Sequence, residues 1–466
     1  MSPGRLNRDA AMENALTLAE VAGVSLPEAE EALGVVTAVT FDCTDETARQ
    51  VAGEVEALLS RTVRTVGGTN GEGEAIAELV IGDAPSRTRG AKMYLGIAQG
   101  EAVLRRTRDR YRRCAAIPRV LHVLIACIAT GAVLRRALPG ALPGPDRDTL
   151  VLSYADLGLD LGRMAEPIDV GHAYMAGAGA VGNGFLWAVR HLSFVGRLDI
   201  VDDDRVSKGN LNRQVWFGDE DVCRSKAVQL AAKAGQHCGG LELVPRECRL
   251  QDLPDRSDGP WLERLIVGVD SRRARRALQN ECPGEVFDAS TTDIREVVLH
   301  HNRQPAAGAC LGCVYPPDEE EYTREHHIAE RLGVAIAEVR RERISPESAR
   351  EISRRYPQLR PGDLVGVAFD TLFKRLCSEG ELDGGPGKRV VAPFAFVSVL
   401  AGAFLALEMV RRLGSGHVAG YNFWRVNPWS SWESRLRETW PKQDGCTFCG
   451  NSDLMVVNGE LWGSRA

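Results

Sequence analysis

Lysine is scarce in this chain: of 57 basic residues only seven are Lys, at positions 92, 208, 226, 233, 374, 388 and 442. A lysine inside a motif is therefore less easily background, whereas the Arg excess reflects overall composition. An excess of positive charge is missing too. Lys plus Arg is 57 against 63 Asp plus Glu, a net charge of −6, which excludes bulk binding to nucleic acid or to a membrane surface and leaves only a local patch for such partners. Long apolar runs are few. Val120 to Leu134 reads as too short to span a bilayer and contains His122, while Val390 to Leu407 carries Pro393, Ser398 and Gly402; both read as buried helices. The N-terminal MSPGRLNRDAAMENA has no apolar stretch and no small-residue cleavage site, so no secretory signal is read there and a cytosolic location is expected. Short-period repeats and low-complexity tracts are lacking as well.

What is there is an ordinary globular composition, 44% hydrophobic and 26% charged over 466 residues, with room for about three domains at ~150 residues each. Twelve cysteines in a cytosolic chain do not suggest a disulfide framework, and their spacing points to metal or catalysis instead.

Residues 1–150 alternate short β-branched runs, such as AVTF at 38–41 and AELVI at 77–81, with helical patterns such as DETARQVAGEVEALLSR from Asp45. This is a first α/β domain. PGALPGPDRD at 139–148 reads as a connection or a domain boundary. A second domain, 151–466, follows, and from about 166 to 313 it repeats strand and helix in the rhythm of a Rossmann-like, mainly parallel sheet. An insertion at 314–389, rich in Arg and Glu and ending in GELDGGPGK, interrupts it before the apolar helix near 393–410 and the Trp-rich YNFWRVNPWSSW return to it.

The first chemical motif is AYMAGAGAVGNG, with Gly177, Gly179 and Gly182 between an apolar strand and a helix expected to start near Asn183. Glycines there let backbone amides approach a phosphate at a helix N-terminus. Twenty residues beyond Gly182, the strand RLDIV ends at Asp202, whose carboxylate can accept from ribose hydroxyls. Nucleotide binding is the reading, and an NAD-dependent oxidoreductase fits this much equally well. The following VDDDRVSKGNLNRQVWFGDEDVCRSKA adds Asn210, Arg213, Gln214 and Lys226, which a dehydrogenase does not need and which suit charge on a reacting phosphoryl group. LIVGVDSRRARRA then places Asp270 at a strand end, where a carboxylate can hold Mg²⁺, with a plain helix N-cap as its other reading.

Two CxxC pairs, Cys310 and Cys313 with Cys446 and Cys449, supply four thiolates for a closed tetrahedral zinc site of structural kind. Cys377, in DTLFKRLCSEGELDGG, is read as lying in a flexible polar loop, where Lys374 and Arg375 would lower its pKa. Cys223 and Cys282 read as packing residues.

GAGAVG, DDDRVSKGNLNRQ, Lys226 thirteen residues after Arg213, and the VDS strand end resemble the adenylation domain of the ThiF/MoeB/HesA superfamily, and most of all bacterial proteins like ubiquitin-activating enzymes. The resemblance spans about 166–313 and 390–450. It implies a ThiF-type fold that uses ATP to convert the C-terminal glycine carboxylate of a ubiquitin-like protein to an acyl adenylate. Asp202 would then bind ribose. Asn210, Arg213, Gln214 and Lys226 would contact the phosphates, Asp270 would serve Mg²⁺ and the adenylation step, and Cys377 would accept the acyl group as a thioester for a conjugating enzyme. Ser271 stands where the family often has Asn, and a Gly-rich stretch separates Cys377 from the VVAPF helix. The same resemblance makes residues 1–150 a degenerate, inactive adenylation half, and likens Arg5 and Arg8 to an arginine stretch that the family lends to a neighbouring site. The expected assembly is a monomer with an internal pseudo-dimer, or a homodimer. Adenylation of a sulfur-carrier protein or small peptide without a thioester is the alternative within the family.

Overall fold

The computed structural model describes residues 6–67, 74–108, 113–253, 261–317, 319–341, 343–378, 392–414, 420–433 and 436–463. The chain divides into two compact units, Met1–Tyr315 with Val391–Ala466, and Pro316–Val390.

The larger unit opens with helices α1 (Arg8–Ala22) and α2 (Leu26–Leu33), which lead into β1 (Val36–Phe41), α3 (Glu46–Leu59), β2 (Arg64–Gly67), β3 (Ala77–Ile81), β4 (Ala91–Ile97), β5 (Glu101–Arg105), α4 (Arg119–Ala137) and β6 (Thr149–Ser153). Among the described residues these strands form one sheet in the order β2-β1-β3-β4-β5-β6, parallel from β2 to β4 and antiparallel beyond. The segment 139–148 is thus a connection inside this sheet, because β6 follows it and pairs with β5.

The chain continues through β7 (Ile168–Ala176), α5 (Ala180–Val189), β8 (Phe194–Val201), α6 (Lys226–Gly235), β9 (Leu241–Arg246), β10 (Arg264–Val267), α7 (Arg272–Asn280), β11 (Glu285–Thr292), β12 (Glu296–Arg303) and the short α8 (Leu311–Val314). After the second unit it resumes with α14 (Ala395–Gly414), β13 (Phe423–Val426), β14 (Arg437–Glu438) and α15 (Ser452–Trp462). The sheet order is β14-β13-β12-β11-β10-β7-β8-β9, parallel from β9 to β11 and antiparallel from β11 to β14. The order reverses between β7 and β10, the switch point where ligands bind in such sheets.

Without β9 and β14, the order β8-β7-β10-β11-β12-β13 matches β2-β1-β3-β4-β5-β6 strand for strand and direction for direction. Each sheet also carries a helix after its central strand, α5 or α3, and a long apolar helix before its last one, α14 or α4. The N-terminal half therefore has the topology of the second with the two outermost strands missing. α4 is long and apolar enough to cross a membrane, longer than the 120–134 run suggested, but it is buried here. α3, α4, α5 and α14 pack against one another, and one continuous apolar core runs through both halves. Glu54 of α3 accepts from Trp187 Nε1 of α5 at 2.8 Å and pairs with Arg190.

The smaller unit is helical: α9 (Glu319–Leu332), α10 (Ile336–Val339), α11 (Pro346–Arg355), α12 (Pro361–Leu364) and α13 (Phe369–Ser378). It has a core of its own, built from Ile328, Leu332, Ile344, Ile352, Phe369 and Leu376 among others.

Candidate active site

β7 ends at Ala176 and the chain turns at Gly177, whose φ of +100° is left-handed. A Cβ there would also lie 3.0 Å from the backbone of Gly268, across the switch point, and a Cβ on Gly182 would lie 2.3 Å from the Gly177 carbonyl; only glycine fits at either place. Helix α5 starts at Ala180, three residues before the expected Asn183, since Gly179 serves as N-cap without a side-chain cap bond. Its first-turn amides are left for a ligand, aided by the helix dipole. Asn183 is buried instead, donating to the carbonyls of Ala178 and Gly179 at 2.9 Å and accepting from Trp216 N at 3.1 Å. It ties the glycine loop to the segment after Arg213.

Asp202 directly follows β8, and its Oδ2 accepts from Ala178 N at 2.7 Å, so it sits against the glycine loop. Burial pushes its carboxyl up to about 6, with Lys226 acting against the shift. Carboxylate oxygens of Asp202, Asp203 and Asp204 lie within 4.8 Å of one another. The buried Lys226 Nζ donates to Asp204 Oδ2 at 2.9 Å. Burial opposes its charge, yet Asp202, Asp204 and Asp270 outweigh that and hold its pKa above the usual lysine value. Lys226 is a charged amine at neutral pH.

Arg213 is half-buried; burial lowers its pKa, while Glu13 and Asp270 pull the other way. Asp270 thus acts electrostatically on both Arg213 and Lys226, which brings three of the predicted residues into one neighbourhood. Asp270 lies three residues beyond β10, and the N-cap of α7 is Ser271, whose Oγ accepts from Ala274 N at 2.9 Å. Behind it, buried Arg275 pairs with Asp288 and donates to the carbonyl of Val269, the residue before Asp270; Tyr315 Oη donates to Asp288 Oδ2 at 2.6 Å. Asn210 has a local role, its Oδ1 accepting from Ser207 N at 3.2 Å and closing a 3-10 turn. Gln214 is buried with Oε1 lacking a hydrogen-bond partner among the described residues.

Residues from the N-terminal half complete this surface, and no linear motif announced them. Arg213 Nη1 donates to Asn212 Oδ1 at 2.7 Å, Asn212 Nδ2 to Asn14 Oδ1 at 2.9 Å, and Asn14 Nδ2 to the Arg61 carbonyl at 2.8 Å. Asn7, the N-cap of α1, donates to Asp219 Oδ1 at 3.0 Å. Arg8 is exposed at the start of α1, and Arg5 lies outside the described residues.

The four cysteines converge, with sulfurs within 4.8 Å of one another. The Sγ separations are 3.7 Å for Cys310–Cys313, 3.6 Å for Cys310–Cys446, 3.8 Å for Cys313–Cys449 and 3.5 Å for Cys310–Cys449. A tetrahedron of bonds of about 2.3 Å from zinc to sulfur has edges of about 3.8 Å, whereas a disulfide would need about 2.05 Å. The donor set fits a metal ion. Cys377 belongs to helix α13 rather than to a flexible loop, after the buried Leu376; its side chain lies outside the described residues, as do those of Lys374 and Arg375. Cys282 is buried as expected, but Cys223 is exposed, on a left-handed turn with φ of +67°.

The profile of the ThiF family matches residues 164–448, and that of the E1 N-terminal domain matches residues 7–160. Protein y4jF of Sinorhizobium fredii (strain NBRC 101917 / NGR234), named only as uncharacterized, is 27% identical over 362 residues, 73% of this chain and 69% of that protein. The NEDD8-activating enzyme E1 catalytic subunit of Dictyostelium discoideum is 36% identical over 102 residues, and the match spans 22% of each protein. The crystal structure of E. coli MccB with ATP aligns at TM-score 0.38 and 12% identity, covering 77% of this chain and 98% of that chain. With the family profile running over more than half its length, this chain belongs to the ThiF family, carrying an E1 N-terminal domain ahead of its ThiF domain.

Proposed function

We propose that this chain is an ATP-dependent activating enzyme that adenylates the C-terminal glycine of a ubiquitin-like protein and then holds it as a thioester on Cys377. The observation that carries the adenylation is the grouping of Arg213, Lys226 and Asp270 beside the glycine loop, two cations and a carboxylate at the switch point. The substrate carboxylate oxygen attacks the α-phosphorus of ATP, the bond to the β-phosphate breaks, and pyrophosphate leaves. Lys226 and Arg213 offset the negative charge that builds on the phosphoryl oxygens, Asp202 accepts from the ribose hydroxyls, and the Gly177–Gly182 turn admits the phosphates. Asp270, with the aspartates 202 to 204, offers the hard oxygen donors that Mg²⁺ takes, and that ion when bound neutralises phosphate charge. Zn²⁺ fits the four thiols and has a structural role, because four protein ligands leave no open position. In the second step the Cys377 sulfur, having lost its proton to solvent, attacks the acyl carbon and AMP departs.

The identity to a NEDD8-activating catalytic subunit supports a ubiquitin-like substrate, a thioester on Cys377 would call for a conjugating partner, and the paired sheets support an internal pseudo-dimer within one chain. A reducing cytosol suits a chain whose described cysteines are all free. A hydride-transfer role would leave Lys226, Arg213 and the four thiols without a task. The helical setting of Cys377 favours, as a second reading, adenylation of a sulfur-carrier protein or peptide with no thioester.

The test is the intact mass, under non-reducing conditions, of a Cys377→Ser variant recovered from its native host, where a stable oxyester replaces the labile thioester. The expected result is a discrete adduct of protein size that disappears when Asp270→Ala is added. ATP consumption by the purified chain without any adduct would remove Cys377 from the mechanism and leave the second reading.

A further inference from the structure

Arg61 follows α3 in the N-terminal half, yet its guanidinium is spent wholly on the second half. Nη1 donates to the carbonyls of Leu211 and, at 3.4 Å, Gln214; Nη2 donates to those of Val215 at 3.0 Å and Phe217 at 3.1 Å. These four carbonyls bracket Arg213: Leu211 stands in the 3-10 turn Lys208–Asn212, and Gln214, Val215 and Phe217 follow in a segment that forms no helix or strand. Arg61 is half-buried, and the loss of water around it brings its pKa down to about 10 although Glu220 and Asp219 act the other way. A planar fork with five donors can gather four carbonyls at once, one more than the three donors of a lysine could each reach. The stretch is gripped from its other side as well, through the relay from the Arg61 carbonyl to Asn14, Asn212 and Arg213 Nη1.

We propose that Arg61 is a positioning residue for nucleotide binding: by gathering the carbonyls of 211–217 it fixes where Arg213 stands, so that the half without a glycine loop sets the shape of the half that has one. This rests on the adenylation reading and gives the N-terminal half a task within it. Arg61 touches no substrate itself and acts through the backbone around Arg213.

The test compares ATP binding by calorimetry, in the presence of Mg²⁺, for the full chain and for Arg61→Ala, Arg61→Lys and Glu54→Gln. Glu54 bridges the same two halves through Trp187, Arg190 and His191 and touches the 211–217 stretch only indirectly, through the packing of Trp187 on Trp216, so Glu54→Gln reports what loosening the interface does without removing a hydrogen bond from that stretch. Arg61→Ala is expected to weaken ATP by roughly tenfold or more, the size expected for losing hydrogen bonds to a charged group. Arg61→Lys should fall between it and the unaltered chain. Glu54→Gln should bind ATP within about twofold of the unaltered chain even where its melting temperature drops. Where Arg61→Ala does not fold, Arg61→Lys against Glu54→Gln decides alone. Unchanged ATP affinity in the Arg61 variants, or an equal loss in Glu54→Gln at equal stability, overturns the proposal. An unaltered chain that binds no ATP overturns the adenylation reading itself, a result distinct from either of these.

Discussion

The two halves share a plan and differ at one loop. After β7 the chain reads AGAGAVG, turns at a left-handed Gly177 and starts α5 with no side-chain cap, so the amides at the helix end remain for a phosphate. After β1, at the equivalent place, it reads FDCTDET, and the carboxylate of Asp45 occupies the end of α3, accepting from Ala48 N at 2.9 Å through one oxygen and from Cys114 N at 2.7 Å through the other. A carboxylate at a helix N-terminus fills the position of an anionic ligand with a permanent one. At its own strand end the N-terminal half thus carries a helix capped by a carboxylate, while its Arg61 and Asn14 are hydrogen-bonded to the segment around Arg213. One topology can hold a site or buttress one, and a few residues after the central strand decide which.

The largest break in this comparison comes from the zinc proposed at the four thiols. Among the described residues only the second half has four converging thiols, joining the end of β12 to the chain terminus. Stripping zinc with a chelator, or making Cys446→Ser, is expected to lower stability by at least several kcal/mol, given that structural zinc sites carry about 10–16 kcal/mol of apparent binding energy. Metal analysis and thermal unfolding would check it, and a full complement of zinc in Cys446→Ser would contradict the assignment. Next in size is Lys226→Ala, which should slow ATP-dependent adduct formation by about 10²- to 10³-fold, since it removes a preorganised charge from a reacting phosphoryl group. An unchanged rate in single-turnover measurements would take Lys226 out of the site.

Much of the second half's candidate site was legible because its residues stand in short, contiguous runs. Gly177, Gly182, Asp202, Arg213 and Lys226 fall within fifty residues, and each chemical task needs a particular residue type at a strand end or helix start. The CxxC pairs were legible for the same reason, despite the long gap, because two residues between thiols is a spacing that suits a shared metal ion. Arg61, Asn14 and Asn212 were not, since their contribution is made of backbone carbonyls and amide side chains brought together over sequence separations of 150 residues and more. The helix start at Ala180 was missed because Gly at N-cap and in the first turn disguises a helix as a loop. Cys377 was placed in a loop by the polar residues around it, although Leu372, Phe373 and Leu376 at helical spacing face a core.

The pH dependence sharpens the comparison further. In the proposed ribose-binding role Asp202 acts as an ionised carboxylate, but burial holds its carboxyl at about 6. ATP should therefore bind more weakly as pH falls through about 6, approaching tenfold per unit at the limit, and Asp202→Asn should flatten that profile while weakening binding throughout. The stability of the nucleotide-free protein should move oppositely. A carboxyl whose pKa is raised on folding stabilises below its unfolded value near 4 and loses that contribution as pH rises through about 6, so Asp202→Asn should gain on the order of 1 kcal/mol above pH 6 and nothing at pH 4. Thermal unfolding at both pH values separates this from a simple loss of contacts, which would destabilise at either.

The smallest expected effect isolates the exchange at the two loops. Asp45→Ala removes the cap of α3 and leaves Cys114 N without its acceptor, so the chain should lose about 1–2 kcal/mol. Because no nucleotide is expected at that loop, ATP affinity should not change, in contrast to Gly182→Ala, whose added Cβ has no room beside the Gly177 carbonyl and should abolish binding. The pair of substitutions changes the same place in two copies of one topology. If Asp45→Ala created a second ATP site, detectable as a stoichiometry above one in calorimetry, then the carboxylate alone would be what keeps nucleotide from the N-terminal half. A stoichiometry of one assigns that exclusion to the loop backbone, which lacks the left-handed glycine turn and would need the whole AGAGAVG run to regain it.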